Sequence, residues 1–351
     1  MAGNKKLKIA IEIGNYLRGA IEDMSFFVQG ADSMGVDIAW AGEAWGQDAI
    51  TGLAYLAGKT NNIKLGTAIM QISARAPAMT AMTALSLNEL SRGRFVLGLG
   101  VSGPQVVEGL HGVSFQKPLT RLRETVEICR AAFAGERLHF EGDIHRLPLP
   151  NGEGKILKLD HDPTEIPIYL ATLAPNALIF TGALADGWLG TSFSPDYSDA
   201  HFSYLKRGAA SAGRSLSDMD LCVSVRVEIG DDVEEMIARR KPATAFNLGG
   251  MGSALTNFYN DAFRRAGFEE DALAVQALWL AGDRKGAANR VPDEMITAFQ
   301  VIGTREMVAA RLQKYVDVGV TTIKLGLDAI PAGCQRLQEL ENIIDLIRGL
   351  K

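Results

Sequence analysis

Apolar and polar positions along the chain fall into a repeated two-part pattern. Short apolar runs of strand length alternate with longer segments whose apolar residues recur at helical spacing. The runs lie at Lys8–Gly14, Val36–Ala41, Ile63–Met70, Arg94–Gly100, Ile166–Ala171, Gly187–Thr191, Leu221–Val227 and Thr322–Leu327. Phe95–Leu99 is apolar except at Gly98, as expected of a strand covered on both faces in a parallel sheet. Helical stripes occupy Ile21–Met34, Ala49–Thr60, Met79–Leu90, Thr120–Ala134, Asn176–Ala185, Pro195–Gly213 and Arg305–Gly319, and Asn342–Arg348 belongs to a closing helix. Strict alternation with short connections predicts an α/β fold, and eight strands predict closure into a (β/α)8 TIM barrel rather than an open doubly wound sheet.

Two stretches interrupt the rhythm. Residues from about 138 to 165 are rich in Gly, Pro and charge and have no helical period, which predicts an extended excursion before the fifth strand. Residues from about 230 to 300 read as a helical insertion between strands seven and eight, punctuated by LGGMGSALTNFYND; Asn257, Tyr259 and Asn260 there are candidates to cover a substrate. No linker is evident, so the expectation is one domain over residues 1–351.

Composition narrows the function classes. The chain has 351 residues, 47% hydrophobic and 22% charged, with a net charge of −5. An acidic balance without a long basic run argues against nucleic acid as a partner. No window of eighteen apolar residues occurs and the first residues, MAGNKKLKIAIEIG, run straight into a strand, so no membrane partner and a cytoplasmic setting are expected. Cys129, Cys222 and Cys334 are isolated and read as buried thiols, and the five histidines sit on loops or loop edges in no metal-ligand spacing, so no metal is expected.

Candidate chemistry lies at the ends of the runs. Gly98 to Gly103 matches G-x-G-x-x-G, but it follows the fourth strand, and Pro104 comes directly after it. A dinucleotide fingerprint is therefore disfavoured against a strand end that lets a ligand approach the backbone, or against tight packing. Glu12 lies in the apolar first strand and must be paired or must work. Glu43 follows the second strand between Trp40 and Trp45; it serves a proton relay beside a flat ring, or it caps a helix next to Asp48.

These pieces resemble the luciferase-like superfamily and, within it, coenzyme F420-dependent oxidoreductases such as the methylenetetrahydromethanopterin reductases. The segments that carry the resemblance are LGTAIMQISARAPAMTAMTALSLNELSRGRFVLGLGVSG, GVDIAWAGEAW, IPIYLATLAPNALIFTGALADGWLGT and GVTTIKLGLDA, in that family's arrangement. The resemblance implies F420, with FMN as the alternative, at the C-terminal mouth of the barrel, and a bulge with a non-prolyl cis peptide at Ala68–Ile69 behind the ring. It implies cofactor contacts from Ala68, Ile69, Gly100, Val101, Ser102, Gly103, Leu173, Ala174 and Thr191; Gln71, by its position beside the bulge, is a candidate to meet the ring edge. Glu12 and Glu43 are the implied catalytic acids. Ala44, Ala76 and Gly103 depart from the sugar-phosphate dehydrogenase pattern of two histidines and a glutamate. The expected activity is hydride transfer between the deazaflavin and a small organic substrate. The rivals are an FMN-dependent two-component monooxygenase and a non-catalytic flavin-binding protein. A homodimer or higher homo-oligomer is expected through the helices at Ile21–Met34, Ala49–Thr60 and Met79–Leu90.

Overall fold

The computed structural model describes residues 7–17, 19–253, 256–327, 330 and 333–350. Met1–Lys6 of the N-terminal run, Ala254 and Leu255 of the glycine-rich stretch, and Asp328 and Ala329 of the last quoted segment lie outside them. In chain order the strands are β1 (Lys8–Glu12), β2 (Ile38–Ala41), β3 (Lys64–Thr67), β4 (Met70–Gln71), β5 (Phe95–Gly100), β6 (Phe140–Glu141), β7 (Arg146–Leu147), β8 (Ile168–Ala171), β9 (Gly187–Gly190), β10 (Asp220–Ile229), β11 (Val301–Gly303) and β12 (Thr322–Gly326).

The chain divides into two compact units, Ile13–Ala171 and Met1–Glu12 with Thr172–Lys351. In the first, β2, β3, β5 and β8 pair in parallel in that order, with β4 continuing the ladder on β5. All six residues of β5 are buried, as expected for a strand covered on both faces. In the second, β9, β10, β12 and β1 pair in parallel in that order, and β11 extends the far end of β10. With the helices that alternate with them, these are the eight strand positions of a (β/α)8 barrel.

The structure adjusts several boundaries. β1 stops at Glu12, not Gly14, because Gly14 turns into the left-handed region at φ 65°. The third strand is split into β3 and β4 by the Ala68–Ile69 step. Helices at Pro77–Leu90 and Pro118–Phe133 begin on a proline, which suits a first helical position with no amide hydrogen to satisfy. The segment from Pro195 is a 3-10 turn (Pro195–Tyr197) followed by the helix Asp199–Ser211, and the closing helix starts at Cys334 rather than Asn342. The excursion folds back as the hairpin β6–β7, tied to the helix Pro118–Phe133 by the buried Glu124 carboxylate, which accepts from the amides of Asp143, Ile144 and His145.

Among the described residues, five α-helices lie between β10 and β11: Val233–Gly249, Phe258–Phe263, Glu269–Leu280, Arg284–Arg290 and Asp293–Phe299. They enclose their own apolar cluster, including Leu248, Phe263, Val275, Met295 and Phe299. Asn257 caps the helix that follows it and donates to the Asn247 and Leu248 carbonyls; Asn260 donates to Leu248 and Ala272. Both are buried. They fasten the insertion internally, which corrects their reading as a substrate cover. Cys334 is exposed and His201 is buried within a helix, contrary to the expectations of buried thiols and loop histidines. Among the described residues, no helix is long and apolar enough to cross a membrane.

Candidate functional site

The densest construction in the Ile13–Ala171 unit surrounds the break between β3 and β4. Thr67, wholly buried, both accepts from the Gly98 amide at 2.9 Å and donates to the Gly98 carbonyl at 2.8 Å, so the end of β3 is pinned to β5. The next peptide, Ala68–Ile69, is cis, as the resemblance implied. Two glycines accommodate the ridge. A Cβ on Gly42 would fall 2.9 Å from the Ala68 carbonyl oxygen, and one on Gly100 would fall 2.7 Å from Ile69 Cδ1.

Glu43 ties the ridge down. Its amide donates to the Ile69 carbonyl at 3.2 Å. Its Oε1 accepts from the Gln71 amide at 2.8 Å and Arg75 Nη1 at 2.6 Å, and its Oε2 from the Ala49 amide and Arg75 Nη2, both at 3.1 Å. The Glu43 side chain is 8% exposed and that of Arg75 18%. A carboxylate so engaged has its lone pairs spent on a bidentate guanidinium and two backbone amides. Its geometry is that of a clamp on the ridge. The helix-capping alternative holds in part: Glu43 receives the Ala49 amide, while Asp48 is the N-cap and accepts from Ile50 and Thr51.

Other positions in this unit divide. Trp40 is fully buried against Tyr169, and Trp45 is 68% exposed, so the two tryptophans do not flank Glu43 as a pair. Gln71 is buried; its Nε2 lies 2.8 Å from His111 Nε2, and its Oε1 accepts from Ser73 Oγ at 2.7 Å. Gly100 closes β5, Val101 and Ser102 follow, Ser102 turns with φ 59°, and Gly103 precedes the short helix Pro104–Val107. Arg75, His111 and Ser73 were not signalled by the sequence. The partners of Arg75 and His111 lie thirty-two and forty positions away, so nothing local marks them, and Ser73 beside Gln71 is an ordinary loop serine in the sequence.

In the unit containing Thr172–Lys351, Leu173 and Ala174 lead into the helix Pro175–Leu184, whose N-cap Ala174 offers no side-chain acceptor. Arg265, from the insertion, donates to the Leu173 carbonyl at 2.7 Å. A guanidinium beside an uncapped helix N-terminus is a setting that favours an anion. Desolvation holds the Arg265 pKa below its usual value. Thr191 follows β9 and Ser192 turns with φ 49°. His201 packs against Trp188 and Phe193, and neither ring nitrogen has a partner among the described residues. Burial, with a smaller push from Arg265, lowers its pKa to about 3, so the ring is neutral.

Glu12 ends β1 with its side chain 52% exposed, and Lys324 of β12 places Nζ 3.6 Å from its Oε2. Of the two acids singled out, Glu12 is the more exposed and the less engaged.

Comparison with known proteins agrees with this architecture. Residues 9–322 match the family model described as luciferase-like monooxygenase. A protein of Mycobacterium tuberculosis described as "Putative coenzyme F420-dependent oxidoreductase" is 37% identical over 324 residues, 90% of this chain and 93% of that protein. The 5,10-methylenetetrahydromethanopterin reductase of Archaeoglobus fulgidus is 30% identical over 310 residues, 87% of this chain and 89% of that protein. The structure of the coenzyme F420-dependent tetrahydromethanopterin reductase of Methanopyrus kandleri superposes with a TM-score of 0.76 at 23% identity, covering 98% of each chain. This likeness places the eight strands in a (β/α)8 barrel of the luciferase-like kind. The chain belongs to the luciferase-like monooxygenase family.

Proposed function

We propose that the protein is an F420-dependent oxidoreductase that moves a hydride between the deazaflavin and a small organic substrate. The observation that carries the reading is the backbone ridge at Ala68–Ile69, admitted by Gly42 and Gly100 and locked by the Glu43–Arg75 pair. A planar ring that must present one carbon to a substrate needs a rigid surface behind it, and a buried ion pair bonded to the flanking backbone supplies rigidity. The names of the relatives from Mycobacterium tuberculosis and Archaeoglobus fulgidus support F420 and reductive chemistry.

When bound, F420 supplies a carbon that donates or accepts a hydride. The chain's own residues do the remainder. In the Ile13–Ala171 unit, Ala68 and Ile69 would back the ring, and Gly100, Val101, Ser102 and Gly103 would hold the cofactor beside it. Gln71, held by Ser73 and His111, stiffens the ridge rather than reaching the ring edge. In the other unit, Leu173 and Ala174, with Arg265, present an anion-favouring helix start suited to the cofactor's phosphate, and Thr191 after β9 would be a further contact. Glu12 holds or moves the proton that accompanies hydride transfer.

Reconstitution tests the reading. The purified protein should bind F420 at micromolar concentration and turn over the bound deazaflavin with a substrate. Glu12→Gln should lower kcat by about a hundredfold or more while leaving F420 affinity unchanged. Full turnover by Glu12→Gln, or failure to bind F420, would overturn the assignment.

A further inference from the structure

Beside the ridge in the Ile13–Ala171 unit, Ser73, Gln71 and His111 form a hydrogen-bonded row. Ser73 Oγ donates to Gln71 Oε1 at 2.7 Å, and Gln71 Nε2 lies 2.8 Å from His111 Nε2. Gln71 is buried, while His111 is exposed on the loop after β5, its amide donating to the Val106 carbonyl at 3.2 Å. With its oxygen turned to Ser73, the Gln71 amide offers an N–H to the imidazole, so Nε2 accepts and the neutral ring carries its proton on Nδ1. Nδ1 has no partner among the described residues.

The same three groups accommodate a charged ring. An imidazolium donates from both nitrogens, so its Nε2–H needs an acceptor. Turning the Gln71 amide over exchanges two groups of similar size. Oε1 then accepts from His111, and Nε2 donates to Ser73 Oγ, a hydroxyl that gives and takes hydrogen bonds alike. Either protonation state of His111 therefore leaves the buried amide bonded at both ends. The charged groups around this row are committed elsewhere. Glu43, which receives the Gln71 backbone amide, is locked to Arg75. On the loop of His111 itself, Glu108 accepts from the Phe115 amide at 3.0 Å and Lys117 pairs with Asp143 at 3.1 Å.

We infer that His111 is a second proton-carrying residue of the proposed reaction, and that the group it serves is a carbon–oxygen or carbon–nitrogen double bond of the substrate. The hydride, with its electron pair, bonds to the substrate carbon. The π pair of the double bond takes the Nδ1 proton of charged His111, so C=O becomes CH–OH, or C=N becomes CH–NH. His111 is left neutral, with Nε2–H held on Gln71, and regains its proton from water. The deazaflavin is oxidised and its ring N–H proton is released, the one for which Glu12 is proposed. In the reverse direction neutral His111 is the base. Histidine suits the task because its charge changes near neutral pH. The inference rests on the proposed function for the hydride, but the row itself does not depend on F420.

Side-chain nitrogen NMR of the protein without F420, labelled at its five histidines and assigned with His111→Gln, tests the row. At alkaline pH the His111 ring should show a protonated Nδ1 and an unprotonated, hydrogen-bonded Nε2. Gln71→Leu should mix the two neutral forms. Gln71→Glu should make the ring hold its proton about tenfold more tightly, because a carboxylate favours the cation. Oxidation of reduced F420 by a panel of small aldehydes, ketones and imines tests the step. On the fastest of them, His111→Gln should lower kcat about a hundredfold, remove one limb of the kcat–pH profile, and leave F420 affinity within about twofold. Added imidazole should restore part of the turnover of His111→Ala; a merely structural role would give neither the lost limb nor the rescue. A ring indifferent to both Gln71 changes, no turnover across the panel by protein that binds F420, or wild-type turnover and pH profile in His111→Gln would each overturn the inference. Failure of F420 to bind, with the NMR signature intact, would overturn the proposed function and leave the proton-carrying row standing.

Discussion

Removing Arg75 should loosen the ridge and weaken cofactor binding together. In Arg75→Leu the Glu43 carboxylate keeps the Gln71 and Ala49 amides but loses both guanidinium contacts, at 2.6 and 3.1 Å, and its counter-charge. Opposite charges about 4 Å apart interact by about 4 kcal/mol at an effective dielectric of about 20. Leaving a buried charge without its partner costs about 3–5 kcal/mol. Arg75 is 18% exposed, so solvent recovers part of that, and about 3 kcal/mol is expected. Urea unfolding followed by tryptophan fluorescence should report the loss as a lower midpoint. Fluorescence titration should show F420 bound at least about tenfold more weakly, since binding must now re-order the ridge. The double variant Glu43→Leu/Arg75→Leu removes the orphaned charge as well and should be less costly than the two single changes added, with a coupling of about 2 kcal/mol. If Arg75→Leu cost less than about 1 kcal/mol and F420 bound as in the wild type, the clamp would not be what holds the ridge.

Further consequences can be measured separately. Gly42→Ala places a methyl 2.9 Å from a backbone oxygen that cannot swing aside, so the ridge must shift; a loss of about 1–3 kcal/mol in urea unfolding and weaker F420 binding are expected. His201 has a folded pKa near 3 against 6.5 when free, so the unfolded chain takes up the proton first; stability contributed by the neutral ring is intact above 6.5 and is lost as pH falls from 6.5 toward 3. His201→Phe should therefore remove about 2 kcal/mol of the difference in unfolding free energy between pH 6.5 and about pH 5, and an unchanged slope would contradict the assignment. Arg265→Gln should weaken F420 binding and flatten its salt dependence; an unaltered salt dependence would separate Arg265 from the phosphate.

What the residue pattern discloses is the scaffold. FVLGLG reads as a buried strand and is buried at all six positions, and the apolar stripe at Met79–Leu90 is a helix in place. Val301–Gly303 escapes because three apolar residues after a helix look like that helix's end; only pairing with Val227–Ile229, more than seventy positions earlier, makes it a strand. The site is legible to a smaller degree. Glu43 stands out as an acid after a strand, yet its role is decided by Arg75, thirty-two positions on, which carries no local signal. Likewise Glu12 meets Lys324, more than three hundred positions away, only because β1 and β12 are neighbours. Distances in sequence hide what strand register brings together.

A protein built for a deazaflavin should prefer it to a flavin. Equilibrium titration of the purified protein with F420 and, separately, with FMN tests it most directly. F420 should bind with a micromolar dissociation constant, and FMN at least about tenfold more weakly. FMN bound as tightly as F420, or no binding of F420, would contradict it.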